Sequence, residues 1–129
     1  MTTMEAPPLE RKLVAILAAD VEGYSRLMHR DEEAALETLS SHRSIIDAII
    51  LQGRGEISGT AGDSVLAEFA SVVDAVHSAV SIQQALTLAN ATLPPNRKMK
   101  LRIGINVGDV MVKDDGILGG DGVNVAARL

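Results

Sequence analysis

Apolar residues in the first half of the chain follow two patterns, one continuous and one with helical spacing. Residues 13–19 (LVAILAA) are apolar throughout, and so short a run predicts a buried central strand that ends at Asp20. A short helix is expected over residues 23–29. A second helix begins at the acidic run 31–33, since acids are favoured at the positive end of a helix, and stops at Gly53. Its predicted buried stripe is Ala35, Leu36, Leu39, Ile46, Ile49 and Ile50.

The second half predicts a hairpin, a helix and a long strand. Two short strands, 56–60 and 64–69, flank the turn residues Ala61-Gly62-Asp63. Ser71 can cap a third helix, which the Pro94-Pro95 pair ends. A strand is expected over 98–112, a glycine-rich loop over 116–122 and the start of a fourth helix over 123–129. The predicted buried face of the third helix is Val72, Val76, Ala79, Val80 and Leu86; that of the long strand is Met99, Leu101, Ile103, Ile105 and Val107.

The order of these elements predicts the fold class. Strands and helices interleave as β-α-α-β-β-α-β, yet two strands form a hairpin, which favours an α+β fold of the ferredoxin-like type. In that fold helices pack on one face of an antiparallel or mixed sheet. We expect residues 1–11 to be a flexible leader and residues 12–129 to form one domain. Because the chain stops two turns into its last helix, we expect this domain to continue beyond Leu129.

Composition and charge exclude several classes of function. The net charge is −5 and no basic patch is visible, so nucleic acid is not an expected partner. The absence of Cys excludes disulfides, thiolate catalysis and Cys-based zinc sites. No apolar run approaches the roughly 20 residues that a membrane-spanning helix needs, and the N-terminus does not resemble a signal peptide. These features predict a cytoplasmic domain without membrane insertion.

Two aspartates are the first candidates for chemistry. Asp20 follows a buried strand and Asp63 lies in a hairpin turn, and these two positions in one sheet can be neighbours. Two adjacent carboxylates repel unless a cation lies between them, and Mg²⁺ prefers such hard oxygen ligands. No compensating cation is close to either in sequence, which favours a metal. For isolated acids the alternative is a helix cap at Asp20 and a turn acid at Asp63.

Four segments, in this order, carry a resemblance to a known family. They are AADVEGYS at 18–25, TAGDS at 60–64, RIGINVG at 102–108 and GDGVNVAARL at 120–129. Together they strongly resemble the catalytic domain of the class III adenylyl and guanylyl cyclases, bacterial adenylate cyclases in particular. The resemblance runs from about Lys12 to Leu129, and the joint match is far more specific than any single segment.

The resemblance implies a reaction and a set of roles. ATP would be converted to 3′,5′-cyclic AMP and pyrophosphate with two Mg²⁺ or Mn²⁺ ions. Asp20 and Asp63 match the metal-binding aspartates, and Val21 matches the residue whose backbone carbonyl binds one metal. Asn124 matches the asparagine that orients the ribose, and Arg128 the arginine that stabilises the transition state. In this family the metal site of one subunit faces the Asn and Arg of another, which implies a homodimer.

Two positions depart from the adenylate-specific pattern. Gly59 stands where a lysine reads the purine, and Ile117 stands where an aspartate does; Asp114 or Asp115 could substitute for the latter if the loop has shifted register. Two alternatives therefore stay open: a guanylate cyclase, and an impaired cyclase-homology domain that acts as a dimerisation or nucleotide-sensing module.

The remaining charged and titratable residues suggest no chemistry of their own. The histidines are scattered over predicted helices and are expected to be ordinary surface or interface residues: His29, His42 and His77. Lys98, Lys100 and Arg102 alternate along the predicted long strand, and we expect them to form a solvated face.

Overall fold

The computed structural model describes residues 10–113 and 116–119, and within them the predicted order of elements is confirmed. The elements are β1 (Glu10–Val21), α1 (Tyr24–Arg30), α2 (Glu32–Gln52), β2 (Gly55–Ala61), β3 (Ser64–Phe69), α3 (Val72–Asn90), β4 (Leu101–Lys113) and β5 (Gly116–Gly119). β1 is longer at both ends than the apolar run predicted, because strand pairing with β4 continues beyond the apolar residues.

The strands form one sheet in the order β2-β3-β1-β4-β5, and each neighbouring pair is antiparallel. β1 lies in the centre, between β3 and β4. The helical connection through α1 and α2 separates β1 from β2, and α3 connects β3 to β4. This is the predicted α+β, ferredoxin-like arrangement.

Local signals set the helix ends as expected. The Asp31 side chain accepts a hydrogen bond from the Ala34 N–H at 3.0 Å, and the Ser71 hydroxyl accepts one from the Asp74 N–H at 3.3 Å. Both satisfy backbone donors that the first turn of a helix leaves unpaired. α2 ends at Gly53, and α3 ends before the two prolines.

The sheet has two faces of different character. On the helix face, the side chains of Ala15, Leu17, Ala19 and Val21 from β1 contribute to the core. Buried residues of the helices and the neighbouring strands complete it, among them Ile46, Ile50, Phe69, Ile82 and Met99. We call the opposite face the site face; the alternation of β1 assigns Val14, Ile16, Ala18 and Asp20 to it. Val14 and Ile16 are buried there as well.

The predicted buried face of α3 is largely wrong. Val72, Val76 and Val80 are exposed to 45%, 45% and 51%, whereas Leu86 is buried and Ala79 packs against the core, as predicted. The buried residues are Ala75, Ser78, Ile82 and Leu86. Apolar residues occur on most sides of this helix, so its periodicity did not select one face. Packing selected the side with Ala75 and Ser78, whose small side chains permit close approach.

Smaller corrections concern α2, β4 and β5. Leu36 is exposed at 47%, unlike the rest of the predicted α2 stripe, and His42 is buried rather than at the surface. Met99 and Leu101 are buried as expected, but Val107 is 46% exposed, and β4 starts at Leu101. Residues 116–119 form strand β5, not a loop, because they pair with β4, a non-local interaction that glycine-rich composition does not reveal. Residues 120–122 and the predicted last helix lie outside the described residues.

Candidate metal site

Asp20 occupies the end of the central strand on the site face. Its neighbours Ala19 and Val21 point into the core and are 4% and 5% exposed, whereas the Asp20 side chain is 37% exposed. Strand alternation explains the difference, because successive side chains point to opposite faces. The apolar neighbours therefore anchor the backbone while the carboxylate stays accessible.

Asp63 lies in the turn between β2 and β3, as predicted. Gly62 precedes it with a φ of +56°, a left-handed conformation that glycine adopts without strain. Pairing of Ala19 with Val65 brings this turn beside the end of β1. There the Val21 N–H donates a hydrogen bond to Asp63 Oδ2 at 2.9 Å. The residue next to Asp20 thus holds Asp63, and the two carboxylates share one end of the sheet.

Arg102 is a third charged group at this end of the sheet. Its Cα pairs with that of Asp20 across the β1–β4 ladder. Its guanidinium donates from Nε to Asp20 Oδ1 at 2.9 Å and from Nη2 to Asp20 Oδ2 at 3.2 Å. The hydrogen bond and charge of Asp20 raise the pKa of Arg102, with smaller contributions from Glu22 and Asp63. Arg102 is 62% exposed, as expected of a solvated strand face, but it also pairs with Asp20, so a cation that is distant in sequence lies beside this carboxylate in the fold.

No local signal could have identified this pair. Asp20 and Arg102 are 82 residues apart in sequence, and only the register of β1 against β4 joins them. The start of β4 is itself fixed by α3. The Asn90 side chain exchanges two hydrogen bonds with the Met99 backbone, at 2.8 and 3.1 Å, and the Gln83 side chain donates to the Leu101 carbonyl at 2.8 Å.

Tyr24, at the start of α1, is a second residue that sequence reasoning missed. Burial raises the pKa of its hydroxyl, and the negative charges of Asp63 and Glu32 raise it further. Because Asp63 acts on this hydroxyl, Tyr24 lies within the electrostatic reach of the site. It also packs against the core cluster. The raised pKa keeps the Tyr24 hydroxyl in its neutral form.

The residues present fit a magnesium or manganese ion. Asp20 and Asp63 provide carboxylate oxygens at the same end of the sheet, and Asp63 is bound to the backbone N–H of Val21, the residue after Asp20. Among residues 10–113 and 116–119, no group of three or more His, Cys, Asp or Glu side chains surrounds a point. One or two carboxylates, supplemented by water and substrate phosphates, are typical of Mg²⁺ sites; a larger protein cage is not needed.

Of the other predicted site residues, Gly59 lies near this end of the sheet but two strands from β1, whereas Ile117 lies far from it. Gly59 pairs with Leu66 in β2, next to a bulge, and a Cβ added there would meet nothing within 4 Å. Ile117 pairs with Val112. Since a strand rises about 3.3 Å per residue, Val112 lies roughly 30 Å along β4 from Arg102. Asn124 and Arg128, and the possible substitutes Asp114 and Asp115, lie outside the described residues.

Comparison with known proteins identifies the family. The adenylate and guanylate cyclase catalytic domain matches residues 7–129, so the chain belongs to that family. A protein from Rhizobium meliloti (strain 1021) named "Putative adenylate cyclase 3" is 45% identical over 127 residues. The alignment covers 98% of this chain but only 22% of that relative, so the chain spans about a fifth of its length.

Solved structures share the fold. An adenylate/guanylate cyclase/hydrolase from Silicibacter pomeroyi is 46% identical with a TM-score of 0.85, covering 95% of this chain and 71% of that chain. A bacterial light-regulated adenylyl cyclase is 26% identical with a TM-score of 0.82, covering 93% and 69%. The described part of the chain contains no helix that is long and apolar enough to cross a membrane.

Proposed function

We propose that this chain forms ATP-cyclising active sites as a homodimer, producing 3′,5′-cyclic AMP and pyrophosphate with two divalent metal ions. The observation that carries the proposal is the meeting of Asp20 and Asp63 at one end of the sheet, where Val21 holds Asp63 at 2.9 Å. Family membership supplies the reaction class. We place the domain in the cytoplasm, where ATP is available.

The reaction forms one bond and breaks another. The 3′-oxygen of ATP bonds to the α-phosphorus, the bond from that phosphorus to the bridging oxygen breaks, and pyrophosphate leaves with that oxygen. The 3′-hydroxyl proton passes to solvent. Bound Mg²⁺ or Mn²⁺ would lower the pKa of the 3′-hydroxyl and neutralise phosphate charge.

In this proposal the chain's own residues bind the metal ions and orient the substrate. Asp20, Asp63 and the Val21 carbonyl hold the ions. Asn124 orients the ribose. Arg128, whose guanidinium is charged at every working pH, offsets negative charge that develops around the phosphorus.

A site shared between two copies is supported by the strand register. Within one chain, Ile117 lies far along β4 from the end of β1 that carries Asp20. A two-fold interface would bring the C-terminal segment of one copy to the metal carboxylates of the other. We therefore assign Asn124 and Arg128 to act on the partner's metal site.

Mixing two inactive variants tests this arrangement. Asp20→Ala and Arg128→Ala are each expected to be inactive. In a mixed dimer, one site carries both lesions and the other carries none. Random pairing makes about half of the dimers mixed, so co-refolding should restore about a quarter of wild-type activity. No recovery despite confirmed heterodimers would place the whole site within one chain.

A second candidate function, the cyclisation of GTP, is suggested by the two purine-reading positions. Gly59 has no side chain to donate a hydrogen bond, and Ile117 offers no acceptor, so neither selects adenine over guanine. Sites lacking such hydrogen bonds discriminate weakly. We expect kcat/KM for ATP and GTP to differ by less than about a hundredfold, roughly 2.7 kcal/mol. A larger preference for ATP would show that another residue reads the base.

A direct assay decides between an enzyme and a binding module. The chain is incubated with ATP or GTP and Mn²⁺, and cyclic product is measured for wild type and Asp63→Asn. We expect product from wild type and at least a thousandfold loss in the variant, with the circular dichroism spectrum unchanged. A folded, dimeric wild type that binds nucleotide without turnover would favour the sensing module instead. Near-normal activity of Asp63→Asn would refute the metal assignment.

A further inference from the structure

We propose that Arg102 is a built-in competitor for the metal site: its guanidinium holds Asp20 while no metal is bound and must release it when a metal ion binds. This proposal rests on the proposed metal role of Asp20 and Asp63. It assigns to Arg102 a positioning role that does not require contact with the reacting atoms.

The geometry of the pair carries the argument. Arg102 engages both oxygens of Asp20, at 2.9 and 3.2 Å, in the two-pronged arrangement in which guanidinium and carboxylate match best. A carboxylate held in this way has two of its roughly four lone-pair positions occupied, one on each oxygen. A divalent ion approaching Asp20 therefore meets a positive charge already in place.

Arg102 can also leave without disturbing the fold. Its side chain is 62% exposed, so water can solvate the released guanidinium. Its backbone is fixed by pairing with β1 and by the Asn90 and Gln83 bonds to the preceding residues. Release is thus a side-chain rotation and needs no movement of β4.

The two aspartates are held by different kinds of hydrogen-bond donor. Asp63 accepts from a backbone N–H through Oδ2, and that donor, Val21, belongs to a strand fixed by pairing with β4. Asp20 is held by a mobile side chain instead. We therefore expect Asp63 to keep its position in both states, and Asp20 to exchange one cation for another.

Competition of this kind makes a prediction that a purely structural role does not make. Removing Arg102 should tighten metal binding, whereas loss of a structural contact would leave it unchanged or weaken it. Exposed ion pairs are weak, so we expect the Mn²⁺ dissociation constant of Arg102→Met to fall by about two- to sixfold. Arg102→Lys keeps the charge but loses the fork, so it should lie between wild type and Arg102→Met.

The test measures free Mn²⁺ by electron paramagnetic resonance while the metal alone is titrated into the chain, without nucleotide. Lys100→Met is the matched control, because it removes the same charge from an exposed residue two positions earlier. The Mn²⁺ binding that is lost in Asp20→Asn is the binding that depends on the proposed metal site. We expect Arg102→Met to bind more tightly than wild type, and Lys100→Met to match wild type.

The possible failures are distinguishable. If wild type shows no Mn²⁺ binding that Asp20→Asn removes, the metal site of the proposed function is wrong. If that binding exists but Arg102→Met equals Lys100→Met, or binds more weakly than wild type, the competitor role of Arg102 is wrong. Should Arg102→Met not fold, Arg102→Lys must still bind Mn²⁺ more tightly than wild type.

Discussion

The two faces of the central sheet are built from the same strands but serve different purposes. On the helix face, β1 contributes Ala15, Leu17, Ala19 and Val21 to a core that includes Phe69 and Ile82. On the site face, the same strand presents Asp20, and its neighbour β4 presents Arg102. The core fixes the backbone, and the carboxylate one residue away is then positioned at no further cost. Apolar packing on one face thus provides the rigidity that a charged site on the other requires.

The faces also differ in how they tolerate added atoms and charge. Substitutions toward the helix face meet close-packed side chains. At Gly59, which pairs with Leu66 at the end of the sheet near the site, there is open space. Each side carries a buried or half-buried titratable residue, His42 in α2 and Glu68 in β3. Substitutions on the two sides should therefore differ in their effect on the free energy of unfolding.

The largest effect is expected in the core at α3. Ile82→Ala should lower the free energy of unfolding by about 3 kcal/mol, because a fully buried side chain is lost and a cavity is left. Val80→Ala, on the same helix but 51% exposed, should change it by less than about 0.5 kcal/mol. Urea unfolding measures both. Equal losses would mean that the valine side of α3 is covered in solution.

Two glycines on β2 provide a second contrast. A Cβ at Gly55 would lie 2.5 Å from ring atoms of Phe69 and 2.8 Å from Ile50, so Gly55→Ala should cost about 1–3 kcal/mol through overpacking. Gly59→Ala meets no neighbour and should be neutral or stabilising. Thermal unfolding of the two variants compares them. A tolerated Gly55→Ala would contradict the close packing described here.

His42 should make stability fall in acid. Burial lowers its pKa from the ordinary value of 6.5, and its Nε2 has no hydrogen-bond partner among the described residues. Below pH 6.5 the unfolded chain takes up a proton that the folded chain resists, so folding weakens as pH falls toward the folded pKa. Between pH 7.5 and 5.5, wild type should lose up to about 1 kcal/mol more than His42→Leu. Parallel slopes in urea unfolding would rule out this contribution.

Glu68 should have the opposite effect to His42: it should make stability rise in acid. Burial and the neighbouring Glu56, which pairs with it across β2 and β3, raise the pKa of Glu68. A raised folded pKa contributes stability below the unfolded value, 4.5, and that contribution is lost as pH rises through the folded pKa. Glu68→Gln should therefore gain less than about 1 kcal/mol over wild type at pH 7, since partial exposure screens the repulsion.

The gain from Glu68→Gln should shrink as pH falls below 4.5, because the unfolded chain then takes up this proton as well. Glu56→Gln is the matched control, because it removes the other partner of the same pair and should give a similar gain. A pH-independent difference between wild type and Glu68→Gln would mean that packing, and not charge, separates them.

Sequence reasoning succeeded where the signal was local. The apolar run of β1, the hairpin around Gly62 and Asp63, the start of α2 at the acidic run and the cap at Ser71 each depend on neighbouring residues, and the structure confirms them. It failed on the orientation of α3, because apolar residues on most of its sides permitted more than one buried face. It also missed β5, whose strand pairing depends on β4.

The candidate site also combines features that local sequence predicts with features that depend on distant contacts. The sequence alone determined that Asp20 ends a buried strand and that Asp63 lies in a turn, since strand and turn propensities act over a few residues. The hydrogen bond from the Val21 N–H to Asp63 and the pairing of Arg102 with both oxygens of Asp20 became visible only in the folded chain. Those contacts join residues 42 and 82 positions apart. Their formation depends on strand order and register, which are set by burial of the whole core and not by any local pattern.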